Sequence, residues 1–248
     1  MSSDTNPARI RIVPAAFVIG ISLIFCTLVA GNVVMQTKAS DKAIRVKGYA
    51  EKHITSDFGI WHGQLTARAV QLPQAYQVVE RDMAKVTAWL GQKGVAADRL
   101  SLSAVTIETQ RKRDANGHDT SEIDSYTLQQ SVTIRLPDVK LVDAVSKDVS
   151  ALIKEGVELA SGMPEYYYTG LEGMKIDMLG QATKDAAHRA HTIVTNADAK
   201  LGRLRSAQQG VFQITPVYST EVSSGGELDT TSIEKTIKAV VDAEFNVE

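Results

Sequence analysis

Between Arg11 and Lys38 the chain carries no charged residue, and residues 12–34 are almost wholly apolar. A helix over that run is about 35 Å long at 1.5 Å per residue, enough to cross a hydrocarbon layer of about 30 Å. Roughly a dozen Ile, Leu, Val and Phe residues favour its insertion into lipid by about 5 kcal/mol. Pro14 falls in the first turn, where a missing N–H costs little. The competing reading is a cleaved signal peptide, whose apolar core spans about 7–15 residues and ends in a small-x-small site. This run is longer, and no A-x-A pattern follows it cleanly. The sequence therefore predicts a short tail at 1–11, an uncleaved transmembrane anchor held by membrane lipid at 12–35, a linker at 36–42 and one folded domain at 43–248. Flanking charge leaves the direction open, since Arg9 and Arg11 precede the run and Lys38, Lys42, Arg45 and Lys47 follow it.

The remaining segment of about 200 residues is long enough to bury a core of its own. A net charge of −2 with 23% charged residues offers no electrostatic footprint for nucleic acid. The most basic cluster, Arg111-Lys112-Arg113, is followed by Asp114, Asp119, Glu122 and Asp124 and reads as a solvated hairpin tip. Cys26 is the only cysteine and lies in the apolar run, so the domain has no disulfide, no thiolate metal site and no cysteine nucleophile.

Two periodicities organise the domain. Strand formers dominate 44–50 and 58–71. From 73 to 92, Tyr76, Val79, Met83, Val86 and Leu90 recur every three or four residues as one helical stripe, ended by Gly91 and Gly94. Residues 100–113 and 123–136 form the arms of a hairpin around Asn116-Gly117, which supplies positive φ angles. In the second arm Tyr126, Leu128, Gln130, Val132, Ile134 and Leu136 share one face. A second helix is expected over 139–155 and a short strand over 165–170. A long third helix follows over 172–199, closed by Leu201-Gly202, then a strand over 204–218 and a last strand over 236–247. The expected architecture is α+β, mostly antiparallel sheets with three main helices in the order ββαββαβαββ, preceded by the transmembrane helix.

Several ordered motifs resemble the SIMPL-domain family. Ile44-Arg-Val-Lys-Gly-Tyr-Ala-Glu51 is similar to its first strand, although the turn that follows, Ser56-Asp57-Phe58-Gly59, lacks the family's proline. Trp89-Leu-Gly-Gln-Lys-Gly-Val95 with Asp98-Arg-Leu100, the strand opened by Tyr126, and Ala182-Thr-Lys-Asp185-Ala-Ala-His-Arg189-Ala190 with Leu201-Gly202 resemble its later segments in the right order. The resemblance implies a cell-envelope protein at the inner (cytoplasmic) membrane, its domain on the periplasmic side. It also implies self-assembly into homo-oligomers, and some members are linked to oxidative-stress tolerance. It carries over no catalytic residue.

The residues themselves offer little chemistry. Asp185, His188 and His191 fall at i, i+3 and i+6 on one helix, so a metal site is conceivable, but that spacing alone cannot close a tetrahedral centre and no H-E-x-x-H pattern is present. They stand as weak candidates against the plainer reading of solvated side chains. His53, His62 and His118 have no nucleophile motif nearby, and no G-x-S-x-G, P-loop or dinucleotide fingerprint occurs. Tyr166-Tyr167-Tyr168 is explained by alternating burial in a strand as well as by a contact surface. The function expected is a non-enzymatic, membrane-anchored, self-associating envelope protein with no cofactor and no catalytic residue. The alternatives are a metal-dependent enzyme using His188 and His191, or a ligand-binding sensor.

Overall fold

The computed structural model describes residues 42–248, together with residues 20, 22 and 26–28. The chain divides into two units: one of Met1–Tyr49, Leu179–Gly210 and Val240–Glu248, the other of Ala50–Met178 and Val211–Ala239. Three elements run through both, namely β1 (Ala43–Thr55), helix α4 (Leu171–Asn196) and β11 (Glu234–Val247).

The larger unit is built on a six-stranded sheet centred on β2 (Phe58–Ala69) and β5 (Asp119–Leu136). These pair antiparallel from Gly59↔Leu136 to Ala69↔Tyr126. On the outer side of β5 lie β3 (Leu100–Leu102) and β4 (Thr106–Arg113); on the outer side of β2 lie β6 (Leu159–Ser161) and β7 (Glu165–Tyr167). The register puts Trp61, Leu65 and Ala67 of β2 beside Ile134, Gln130 and Leu128 of β5, on the buried face. Trp61 is fully buried, and its ring lies over Gly63, where a Cβ would come within 2.5 Å of it.

Helix α1 (Leu72–Gln92) closes this core with Ala75, Val79, Met83, Val86 and Leu90. The stripe expected from the sequence is present, except that Tyr76 points to solvent and Ala75 takes its place. Gly94, at φ 95°, ends the helix as the Val95 N–H turns back to the Leu90 carbonyl. Helix α2 (Val139–Asp148) starts on Asp138, whose carboxylate accepts the N–H groups of Lys140 and Leu141, and adds Val142 and Val145 to the core. The unit also holds β9 (Gln213–Pro216), antiparallel to the start of β11, and β10 (Glu227–Leu228), parallel to β9.

In the smaller unit β8 (Leu201–Gln209) pairs antiparallel with the end of β11, with register shifts at Glu244/Phe245 and Phe245/Val247. The other side of β11 is taken by β1. Helix α4 buries Ala182, Ala186, Ala190 and Val194. It approaches β1 so closely that a Cβ on Gly48 would lie 2.0 Å from the Ala182 carbonyl oxygen. Small residues on both partners are what make that approach sterically accessible.

Several expectations are corrected. The fold is mixed α/β in the order ββαβββααββαββββ, not ββαββαβαββ with three helices. The second helix breaks at Val149-Ser150 into α2 and a single turn, α3 (Ala151–Lys154), where Leu152 N–H bonds the Val149 carbonyl in a tightened turn. The strand expected over 204–218 is two strands split at Gly210, and Leu201-Gly202 opens β8 instead of closing a helix. Among the described residues, no helix is long and apolar enough to cross a membrane. Their long helices are one-sided: α4 sets Lys175, Asp177, Lys184, Asp185 and Arg189 around its alanine stripe. Against the expected transmembrane anchor at 12–35, and the inner-membrane, periplasm-facing location drawn from it, the structure therefore offers no membrane-crossing helix among its described residues. Residues 12–35, apart from 20, 22 and 26–28, lie outside the described residues.

Candidate functional site

Asp185 is committed to structure. Its Oδ2 accepts the Tyr49 backbone N–H at 2.8 Å and the Arg189 Nε–H at 2.7 Å. The Tyr49 bond first, then Arg189 and His188, hold its carboxyl below the usual carboxylate range against the opposing effect of burial. His188 and His191 are both exposed on α4. Among the described residues, no group of three or more His, Cys, Asp or Glu is placed to hold a metal ion. The remaining histidines are scattered: His62 pairs with Thr133 at 2.8 Å, His53 with Thr236 at 3.2 Å, and His118 lies 3.8 Å from Asp114 at the hairpin tip.

Tyr166 and Tyr167 divide by alternation within β7, and Tyr168 lies just beyond the strand, half-buried. Tyr166 is buried, with its hydroxyl 3.3 Å from Asp143 Oδ1; burial first, then the Asp143 charge, pushes its pKa up to about 12. Tyr167 donates to the Glu165 carboxylate, which raises its own pKa.

Beside Tyr166 lies a cluster that the sequence does not announce. Lys235, only 2% exposed, donates to the backbone carbonyls of Tyr166 and Asp229. Burial lowers its pKa, opposed by the charge of Asp229. Burial pushes the Asp229 carboxyl up, but N–H and O–H groups of Thr231 and Ser232 and the Lys235 charge together hold it below its ordinary value. Asp229 Oδ2 and Thr215 Oγ1 are buried without a partner. The adjoining cavity is only about 70 Å³, lined by Ile54, Leu171, Ile214, Leu228 and the tyrosines. Such a space holds a water or two, not an organic substrate. The ammonium acts as an internal cation that ties β7 to the loop before β11.

A concavity of the smaller unit, about 550 Å³, runs along β1 and α4 between Arg45, Val46, Lys47, His188, Arg189 and Ile193. Two of the residues named from the sequence are therefore near one groove, His188 on its wall and Asp185 at its end, bonded to Tyr49. Sequence spacing could place them on one helix face; it could not reveal that the face borders a strand edge 136 positions away.

No curated protein matches the chain. The model of SIMPL, a family of proteins of unknown function, matches residues 44–245, which reach from the first residues of β1 to the last turns of β11 and take in both units. With the strand, helix and hairpin motifs in place along that whole stretch, the chain belongs to the SIMPL family.

Proposed function

We propose that this chain is a non-enzymatic protein that self-associates by pairing the exposed edge of β4 with the same edge of a second copy. The observation that carries this reading is β4 itself. All its residues from Thr106 to Arg113 are exposed, and among the described residues it pairs with β5 on one side only. An open, extended edge is a template for another strand. Antiparallel pairing of this edge with its own copy about Gln110 sets Glu108 of each copy opposite Lys112 of the other, on one face of the joined sheet. Exposed Ile107 and Ile123 add apolar surface on the same hairpin.

Light scattering coupled to size-exclusion chromatography of the full chain tests the reading. The native chain is expected above monomer mass at micromolar concentration. Lys112→Glu breaks two symmetry-related pairs worth about 0.2–1 kcal/mol each and adds repulsion, weakening association roughly tenfold. The swap Glu108→Lys with Lys112→Glu restores it. A strictly monomeric native chain, or a Lys112→Glu chain that associates as the native one does, refutes the proposal.

A further inference from the structure

The groove beside β1 is bordered by a strand edge that no other strand pairs among the described residues. β1 ends its sheet, with β11 as its neighbour. The Val247 N–H of β11 donates to the Lys42 carbonyl at 2.9 Å, so even-numbered residues at the start of β1 turn their backbone groups inward. Burial alternates without a break from Ile44 to Ala50, so no bulge reverses that order. The N–H and C=O groups of Arg45, Lys47 and Tyr49 therefore point outward. At Tyr49 the outward N–H is taken by Asp185 of α4; at Lys47 and Arg45 it opens into the groove. From Tyr49 to Arg45 is about 13 Å of strand, and from Asp185 to Ile193 about 12 Å of helix, so the two walls match in length.

The walls also define what fits. Among the described residues, Arg45, Lys47, Arg189 and His188 line the groove and no carboxylate does. Arg189 holds Asp185, and Arg45 reaches Asp242 and Glu244 at 3.5 and 3.4 Å, so attraction for an acidic segment falls first to Lys47, which makes no ion pair among the described residues. Val46 forms apolar floor, and Ile193 is 52% exposed on the helix wall. We propose that this edge takes up an extended acidic peptide segment of a partner protein as an added strand, its backbone on Arg45 and Lys47 and its side chains against α4. The chain's own residues 1–41 carry Arg9, Arg11 and Lys38 against Asp4 and Asp41, the wrong balance for a cationic groove. The acidic stretch of a second copy is less apt, because Asp119 and Glu122 already pair with Arg113 and Lys112.

Fluorescence anisotropy of the full chain with a labelled peptide of alternating glutamate and valine tests this. The glutamate peptide binds, and the same peptide with lysine for glutamate binds at least tenfold more weakly. N-methylation of alternate amides along one edge abolishes binding, whereas methylation along the other edge leaves it intact. Lys47→Ala removes one charge; Lys47→Pro removes the outward N–H as well, without touching a bond to β11, and lowers affinity roughly tenfold further. The proposal is overturned if the full chain does not bind the glutamate peptide, if both peptides bind alike, or if methylation of neither edge weakens binding. Should Lys47→Pro fail to fold, the methylated peptides decide the matter on the native chain.

Discussion

Gly48→Ala is the sharpest single test of how helix α4 is seated on β1. The added Cβ would stand 2.0 Å from the Ala182 carbonyl oxygen, 2.6 Å from the Ala186 nitrogen and 2.7 Å from the Ala186 Cβ. Two of these obstacles are backbone, so no side-chain rotation relieves them. Restoring ordinary contact, from 2.0 Å to at least 3.4 Å, requires the helix to retreat by about 1.4 Å, which loosens the packing of Ala182, Ala186 and Ala190 behind it. Overpacking of this kind costs about 1–3 kcal/mol, and a backbone obstacle belongs at the upper end. A loss of about 0.4–1 kcal/mol in unfolded-state freedom works in the opposite sense. The net expectation is a destabilisation of about 2 kcal/mol. Gly180→Ala on the same helix is the control. Nothing lies within 4 Å of a Cβ there, so the better helix former stabilises by about 0.5–1 kcal/mol. Urea denaturation followed by circular dichroism reads both: with a slope of about 2 kcal/mol/M, Gly48→Ala lowers the midpoint by about 1 M and Gly180→Ala raises it slightly. If Gly48→Ala were as stable as the native chain, the close approach of α4 to β1 would be wrong.

Two further outcomes follow from the buried cluster in the larger unit. Lys235→Met leaves the Asp229 carboxylate and two carbonyls buried without their cation and should cost about 3 kcal/mol in urea denaturation; adding Asp229→Asn should recover a large part, and no recovery would show that the two groups are not coupled. Tyr166, with a pKa near 12 against an ordinary 10, is favoured as the neutral phenol in the folded state. Its contribution is whole below pH 10 and is lost as the pH rises from 10 to 12, by at most about 1.4 kcal/mol per pH unit. Native and Tyr166→Phe chains should therefore converge in stability across that window, and a constant difference would refute the assignment.

Local pattern was enough to find much of the larger unit. The Val79–Met83–Val86–Leu90 stripe, the Asn116-Gly117 reversal with Gly117 at φ 84°, and the alternation of β5 are each written within a few residues of chain, because side-chain period and turn chemistry are local properties. The ordered motifs also carried the family, since they are read along the chain without reference to contacts. The apolar run at 12–34 is composition alone: it records a preference for a dry environment and does not by itself choose lipid to supply it.

What tertiary structure alone decided is how groups far apart in the chain satisfy one another. A carboxylate on α4 caps the edge of β1; a lysine on β11 ties the carbonyl of Tyr166 to that of Asp229; and a glycine in β1 is required by alanines more than 130 positions later. No window of sequence contains both halves of any of these interactions except the short step from Asp229 to Lys235, and even there the burial that gives it meaning comes from Tyr166. Periodicity states which face of an element must leave water. Which polar group then meets which, and which strand edge stays open beside a helix, is set by the packing of whole elements against each other.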